Sequence, residues 1–234
     1  DYKEAVKWYR KAAEQGSATA QFNLGYMYKK GTGVKQDYKK AVNWYRKAAE
    51  QRDLDAQHNL GFMYYNGQGV KQDYKQAVKW YRKAAKQGSA LAQSHLGFMY
   101  EKGKGVTQGY KEAEKWYRKS AEQGNVDAQS NLGQMYRKGD GVTQDYKEAI
   151  KWFSKAVEQG YVDAQYNLAL MFAKGQGVIL DNVYAHMWFN IAASTGDADA
   201  VKNRDIVAKK MTFTDISKAQ GLARVCVQKN YKNC

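Results

Sequence analysis

Apolar residues fall along this chain in two alternating helical patterns. From Tyr38 to about Gln51, the residues Ala41, Trp44, Tyr45 and Ala48 recur at i, i+3, i+4 and i+7, the spacing of one helix face. From Ser17 onward Ala20, Leu24, Met27 and Tyr28 repeat that spacing in a second helix. Asp37 precedes the first helix as an N-cap, and Asp1 with Glu4 and Asp145 with Glu148 have capping-box spacing. Ser17, Asp53, Ser89 and Asn125 play the capping part for the second helix. Gly16, Gly88, Gly124, Gly160 and Gly196 are expected to close the first helix in a left-handed conformation. Arg52 stands where such a glycine is expected, and positive φ there costs roughly 1 kcal/mol. Gly25, Gly61, Gly97 and Gly133 lie mid-helix, where glycine is unfavourable. A cost that recurs implies a benefit that recurs: close approach of a neighbouring helix. The second helix ends at a Gly-x-Gly turn, with Val34 or its equivalents tucked beneath.

These patterns repeat. Trp8, Trp44, Trp80, Trp116, Trp152 and Trp188 are spaced 36 residues apart, and Asp1, Asp37, Asp73, Asp145 and Asp181 keep the same period. The chain is a tandem array of helix pairs, predicted to be all-α, with each pair burying its apolar stripe on its neighbours. Residues 1–196 carry the repeats, the first incomplete at its N-terminal side, which suggests a truncated or processed start. Residues 197–234 depart: Arg204 takes the place of Leu24 and Leu60, so Asp197 to Met211 reads as a modified, more polar helix. Thr212-Phe213-Thr214-Asp215 then opens a capping helix to about Lys229.

The segments Ala20-Gln21-Phe22-Asn23-Leu24-Gly25-Tyr26-Met27-Tyr28, Gly31-Thr32-Gly33-Val34 and Asp37-Tyr38-Lys39-Lys40-Ala41-Val42-Asn43-Trp44-Tyr45 resemble the Sel1-like repeat. That family is related to tetratricopeptide repeats but slightly longer, and the resemblance covers roughly residues 1–196. It implies a right-handed α/α solenoid superhelix of about six repeats that presents the helices starting near Ser17, Asp53, Ser89, Asn125 and Tyr161 along a concave groove. Cys226 and Cys234 are spaced as in disulfides of a cysteine-rich branch of the family. The resemblance thus implies a bond there, with two unlinked thiols as the alternative. A bond would point to a periplasmic or secreted protein; without one the cytoplasm stays open.

On the groove helices, Asn23, Asn59, His95, Asn131 and Asn167 face away from the core stripe. One turn on come Tyr26, Phe62, Phe98, Gln134 and Leu170, and a further turn adds Lys30, Asn66, Lys102, Lys138 and Lys174. Amides offer donors and acceptors to a peptide backbone, aromatics offer apolar pockets, and lysines attract acidic groups. The amides could equally bond within the array. Phe22, His58, Ser94, Ser130 and Tyr166 vary most in chemistry at a shared register, so specificity could be written there.

Charge narrows the partners. The formal net charge of +15 favours acidic ones, yet the lysines recur at fixed repeat positions as on solvated helix faces, and no nucleic-acid motif accompanies them. Nucleic acid is therefore a poor expectation. No segment has the ~18 consecutive apolar residues of a membrane span. The Gly-x-Gly turns follow helices rather than strands, which disfavours a phosphate loop. Two cysteines and three scattered histidines do not make a structural metal site. No catalytic residues and no cofactor are expected. The predicted function is a non-enzymatic scaffold gripping a protein or peptide, expected to be acidic, in the concave groove. Two other readings remain: a periplasmic immunity or inhibitor protein for a secreted toxic effector, and a cell-wall or β-lactam-related binding protein or enzyme.

Overall fold

The computed structural model describes residues 1–234 and contains thirteen α-helices and no strand. They are α1 (Tyr2–Glu14), α2 (Ala18–Lys30), α3 (Tyr38–Glu50), α4 (Leu54–Asn66), α5 (Tyr74–Lys86), α6 (Ala90–Lys102) and α7 (Tyr110–Glu122). There follow α8 (Val126–Lys138), α9 (Tyr146–Val157), α10 (Val162–Lys174), α11 (Asn182–Ala193), α12 (Ala198–Ala208) and α13 (Phe213–Gln228). The helices form two compact units, Asp1–Ser120 and Ala121–Cys234. Within each, a helix packs on its sequence neighbours, as short turns between antiparallel helices require.

Capping sets the helix boundaries. Ser17 Oγ accepts from Ala20 N at 3.3 Å, and Asp37 Oδ1 accepts from Lys40 N at 3.0 Å. Even-numbered helices through α10 end on left-handed glycines such as Gly31, with φ of 74°. At Arg52 the backbone keeps the left-handed shape of its glycine counterparts, with φ of 69°. Thr212 and Asp215 exchange bonds in a capping box that starts α13.

The core is built on a close approach. Tyr45, Tyr81, Phe153 and Phe189 are fully buried at one register of the odd-numbered helices. A Cβ on Gly25 would lie 2.8 Å from the Tyr45 ring, and one on Gly61 equally close to Tyr81. In the second unit Gly133 faces Phe153 in the same way. Glycine's cost in helix propensity, up to about 1 kcal/mol, is thus offset by an aromatic ring seated on helix backbone.

A buried polar spine runs beside that core. Gln21 Nε2 donates to Ala13 O at 3.0 Å, and its Oε1 accepts from Gln51 Nε2 at 2.8 Å. Gln57 repeats this with Ala49 O and Gln87, and in the second unit Gln129 does so with Ala121 O and Gln159. Each glutamine so ties its own repeat to the one before. The spine stops at Gln165, whose amide nitrogen and oxygen are buried without a protein partner. Thr195 stands where Gln159 stood one repeat earlier, and its Oγ1 turns to Ala192 O instead.

The tryptophans are less uniform: Trp80, Trp152 and Trp188 are buried, whereas Trp8 is 63% exposed. A lysine three residues on covers several of these rings, as Lys83 does Trp80 at 4.2 Å and Lys155 does Trp152 at 4.5 Å. Much of the lysine periodicity is therefore a cation resting on an aromatic face.

Two stability outcomes follow from this packing. Trp80→Ala should destabilise the chain by about 3–5 kcal/mol in urea unfolding, as loss of a buried indole does. Gln57→Leu removes one glutamine of the spine, taking the side-chain donor from Ala49 O and the acceptor from the Gln87 amide, at a cost of about 1 kcal/mol in the same measurement.

Candidate functional site

The even-numbered helices of the first unit place their outward residues side by side. Lys29 of α2 donates to Asn59 Oδ1 of α4 at 3.3 Å and lies 4.8 Å over the Phe62 ring. Tyr65 of α4 meets Phe98 of α6 edge-on at 6.3 Å. Lys104, in the turn after α6, donates to Tyr65 Oη at 2.8 Å and sits over Tyr65, Tyr74 and Phe98. These contacts join successive repeats, so the face is braced by its own side chains.

The amides expected along this face bond partly within their own helices. Asn59 Nδ2 donates to Asp55 O at 2.9 Å, Asn66 Nδ2 to Phe62 O at 3.0 Å, and in the second unit Asn167 Nδ2 to Asp163 O at 2.7 Å. His95 behaves likewise, its Nδ1 lying 2.9 Å from Leu91 O. Asn23, Asn59, Phe62, His95 and Phe98 are half-buried, while Tyr26, Lys30, Asn66 and Lys102 are exposed. In the second unit Asn131, Gln134 and Asn167 are half-buried and Lys138 and Lys174 exposed. Gln134 Oε1 accepts from Arg137 Nε at 2.9 Å.

Beneath the outward row lies a cluster that sequence reading named only in part. The rings of His58 and His95 are 5.1 Å apart, and Tyr81 stacks on His95 at 5.0 Å. His58 Nε2 and the hydroxyls of Tyr81 and Tyr45 are buried without a protein partner. Burial, then the neighbouring His95 and Lys29, push the His58 pKa down to about 4. Burial also raises the Tyr81 and Tyr45 phenols, and it lowers Lys29 with help from Lys30. Tyr117 differs from its counterparts, donating to Glu101 Oε2 at 2.8 Å. The variable register marked Phe22 and His58; the ring partners Tyr45 and Tyr81 read in sequence as core alone. Phe22 sits 5.8 Å from Tyr45 as His58 does from Tyr81, so that register touches the aromatic knob of the following helix.

No group of three or more His, Cys, Asp or Glu side chains is placed to hold a metal ion. Cys226 and Cys234 are joined by a disulfide, with Cα atoms 5.4 Å apart. No helix is long and apolar enough to cross a membrane.

The buried His58 gives stability a pH dependence. Its folded-state pKa of about 4 lies below the ordinary value of about 6.5, so on acidification the unfolded chain takes the proton first. Stability from this group is complete above about pH 6.5 and is lost as pH falls through 4, by about 3 kcal/mol at most. His58→Phe, which copies Phe22 of the preceding repeat, should flatten the loss between pH 6.5 and 4 in urea unfolding compared with wild type.

Comparison with known proteins agrees with this architecture. The Sel1 repeat matches residues 1–17, 18–53, 54–89, 90–125, 126–161 and 162–197. A Sel1 repeat protein from Oxalobacter formigenes is similar over 100% of this chain and 92% of its own, at 33% identity and a TM-score of 0.84. A protective antigen present in uropathogenic Escherichia coli strains, displaying an SLR fold, is 30% identical. That match covers 99% of this chain and 66% of the antigen, with a TM-score of 0.53. An immunity protein from Pseudomonas aeruginosa shares the fold at 24% identity and a TM-score of 0.52, covering 85% of this chain and 76% of its own. With repeat matches running from residue 1 to residue 197 and a relative alike over the whole chain, the protein belongs to the Sel1 repeat family.

Proposed function

We propose that the chain is a non-enzymatic scaffold that holds an acidic segment of a partner protein on the even-helix face of the first unit. Sel1 repeats generally mediate protein–protein interaction and are typically non-catalytic. The observation that carries the finer reading is the chemistry of this face, rich in donors, with the exposed Asp55 of α4 as a carboxylate one turn before Asn59. α2 contributes Lys29 and Lys30 and no acidic residue. Glu101 of α6 is already engaged by the Tyr117 hydroxyl and by Lys102. Tyr26, Lys30 and Asn66 stand exposed around Asn59, Phe62, His95 and Phe98, giving apolar surface flanked by cations. A carboxylate docked there would gain charge-assisted bonds. In the second unit Asn131, Gln134, Lys138, Asn167 and Lys174 form the corresponding patch, with Asp127 nearby bonded by the Tyr161 hydroxyl.

A narrower form of this reading makes the partner a secreted toxic effector met in the periplasm. It draws support from the Cys226–Cys234 disulfide, because such bonds persist in oxidising compartments.

The test is affinity capture from periplasmic and whole-cell extracts of the source organism, comparing wild type with Asn59→Ala/Phe62→Ala. The expected result is one acidic protein retained by wild type, bound at least about tenfold more weakly by the double variant, and released as salt is raised. The variant should stay folded by circular dichroism but melt somewhat lower, since Phe62 packs on the core and both side chains meet Lys29. Equal retention by both proteins would remove this face from the proposal.

A further inference from the structure

Each repeat of the first unit seals the outer junction between an odd helix and the next even helix with one polar pair. Arg10 donates to the Tyr28 hydroxyl at 3.0 Å, Arg46 to Tyr64 at 3.0 Å and Arg82 to Tyr100 at 2.9 Å. At the corresponding place in the second unit both partners change together: Ser154 stands for the arginine and Phe172 for the tyrosine. Losing one partner alone would leave a polar group stranded, whereas losing both leaves an apolar wall with nothing unpaired. Volume is lost too, since a serine replaces a long guanidinium side chain. A third register change follows, from Lys40 to Tyr184, and the Phe172 and Tyr184 rings stack at 5.3 Å.

The result is a hollow of about 250 Å3 within the second unit. Phe172, Tyr184 and Trp188 line it from the repeats, and Tyr231 adds a fourth aromatic side chain from the C-terminal tail. The tail is held in an unusual shape to do so. Asn230, Tyr231 and Asn233 all have left-handed backbone, at φ of 50°, 64° and 54°. Such conformations cost non-glycine residues energy and persist where surrounding contacts dictate them. Here the Cys226–Cys234 disulfide fastens the tail to α13, and the Tyr231 ring lies so near Gly160 that a Cβ there would sit 3.2 Å from it. Glu158 is the one charged side chain among the residues lining the hollow, and Ser154 contributes a hydroxyl.

The contrast with the same junction in the first unit is one of sign. The hollow beside Tyr28 and Trp44 is walled by Lys40, Arg46 and Lys47 with Glu50 at its side, a cationic setting. On a chain of net charge +15, a hollow whose only charged lining side chain is a carboxylate stands apart. Aromatic rings with a carboxylate form the chemistry that recognises an organic ammonium group. Size agrees as well: a dry cavity of about 150 Å3 takes up benzene, so this hollow has room for a ring with a short ammonium arm.

We propose that the hollow formed by Phe172, Tyr184, Trp188 and Tyr231 with Glu158 is a binding site for a small aromatic or alkyl ammonium ion. It is separate from the protein-binding face assigned above, and neither depends on the other.

The experiment is a ligand-observed NMR titration of the oxidised full chain with benzyltrimethylammonium, with benzyl alcohol as the neutral comparison. Saturable binding of the ammonium, at least about fivefold tighter than the alcohol, is expected. Glu158→Gln should weaken the ammonium about fivefold and leave the alcohol unchanged. Ser154→Arg with Phe172→Tyr restores the pair of the other repeats and should fill the hollow. That variant should lose ammonium binding while melting at or above the wild-type temperature, so lost binding cannot be ascribed to unfolding. Equal affinity for the alcohol, unaltered ammonium binding in either variant, or no saturation at millimolar ammonium would each overturn the assignment.

Discussion

The structure depends on one steric relation: an aromatic ring of α3, α5, α7 and α9 rests on the bare backbone of a mid-helix glycine in the even helix before it. A Cβ on Gly25, Gly61 or Gly133 would intrude to 2.8 Å on the facing ring. Close packing of this kind fixes the distance between helices and leaves little freedom in how repeats stack. From that distance follow the other repeated contacts. Glutamines reach the glutamine that closes the next helix, arginines reach the tyrosine hydroxyl of the following helix, and outward side chains on α2, α4 and α6 meet one another.

The polar spine complements this packing. Dispersion between rings and backbone is tolerant of small slips, whereas a buried amide that misses its carbonyl is left unpaired at a cost of about 1–3 kcal/mol. Gln57 and Gln129, bonded both within their own repeat and to the one before, therefore penalise misregister more sharply than the apolar core does. Lysines over tryptophans serve a third purpose, covering apolar rings with a solvated charge and raising net charge without adding an exposed apolar patch.

Repetition of the backbone frees side chains to differ where chemistry is wanted. In the first unit, His58 replaces Phe22 at the register that touches the aromatic knob, which puts titratable groups beneath a cationic face. In the second, the spine ends at Gln165, Ala169 takes the glycine's place, and Ser154 and Phe172 replace the arginine–tyrosine pair. The departures gather near the C-terminal helices, where α12 and α13 complete the packing on α11.

The helices, their caps, the 36-residue period and the close approach at Gly25 and its equivalents were all legible in the sequence, because each is a local consequence of spacing. Near-identical repeats then act as internal controls, so a glycine in four repeats reads as a requirement rather than an accident. The rows at i, i+3 and i+7 read in sequence as one helix face for the same reason. What Asn59 does was not: its amide serves its own helix while its oxygen meets Lys29, a choice made by the neighbouring repeat. Nothing in the sequence marks Gln21 and Gln57 as buried, since their partners lie eight and thirty positions away. Ser154 and Phe172 are unremarkable alone in sequence; the hollow exists because the fold sets them face to face and brings Tyr231 beside them. Periodicity specifies which side of a helix a residue occupies, but the identity of the atoms across the gap, and so hydrogen bonding, burial and pKa, is decided when the helices pack.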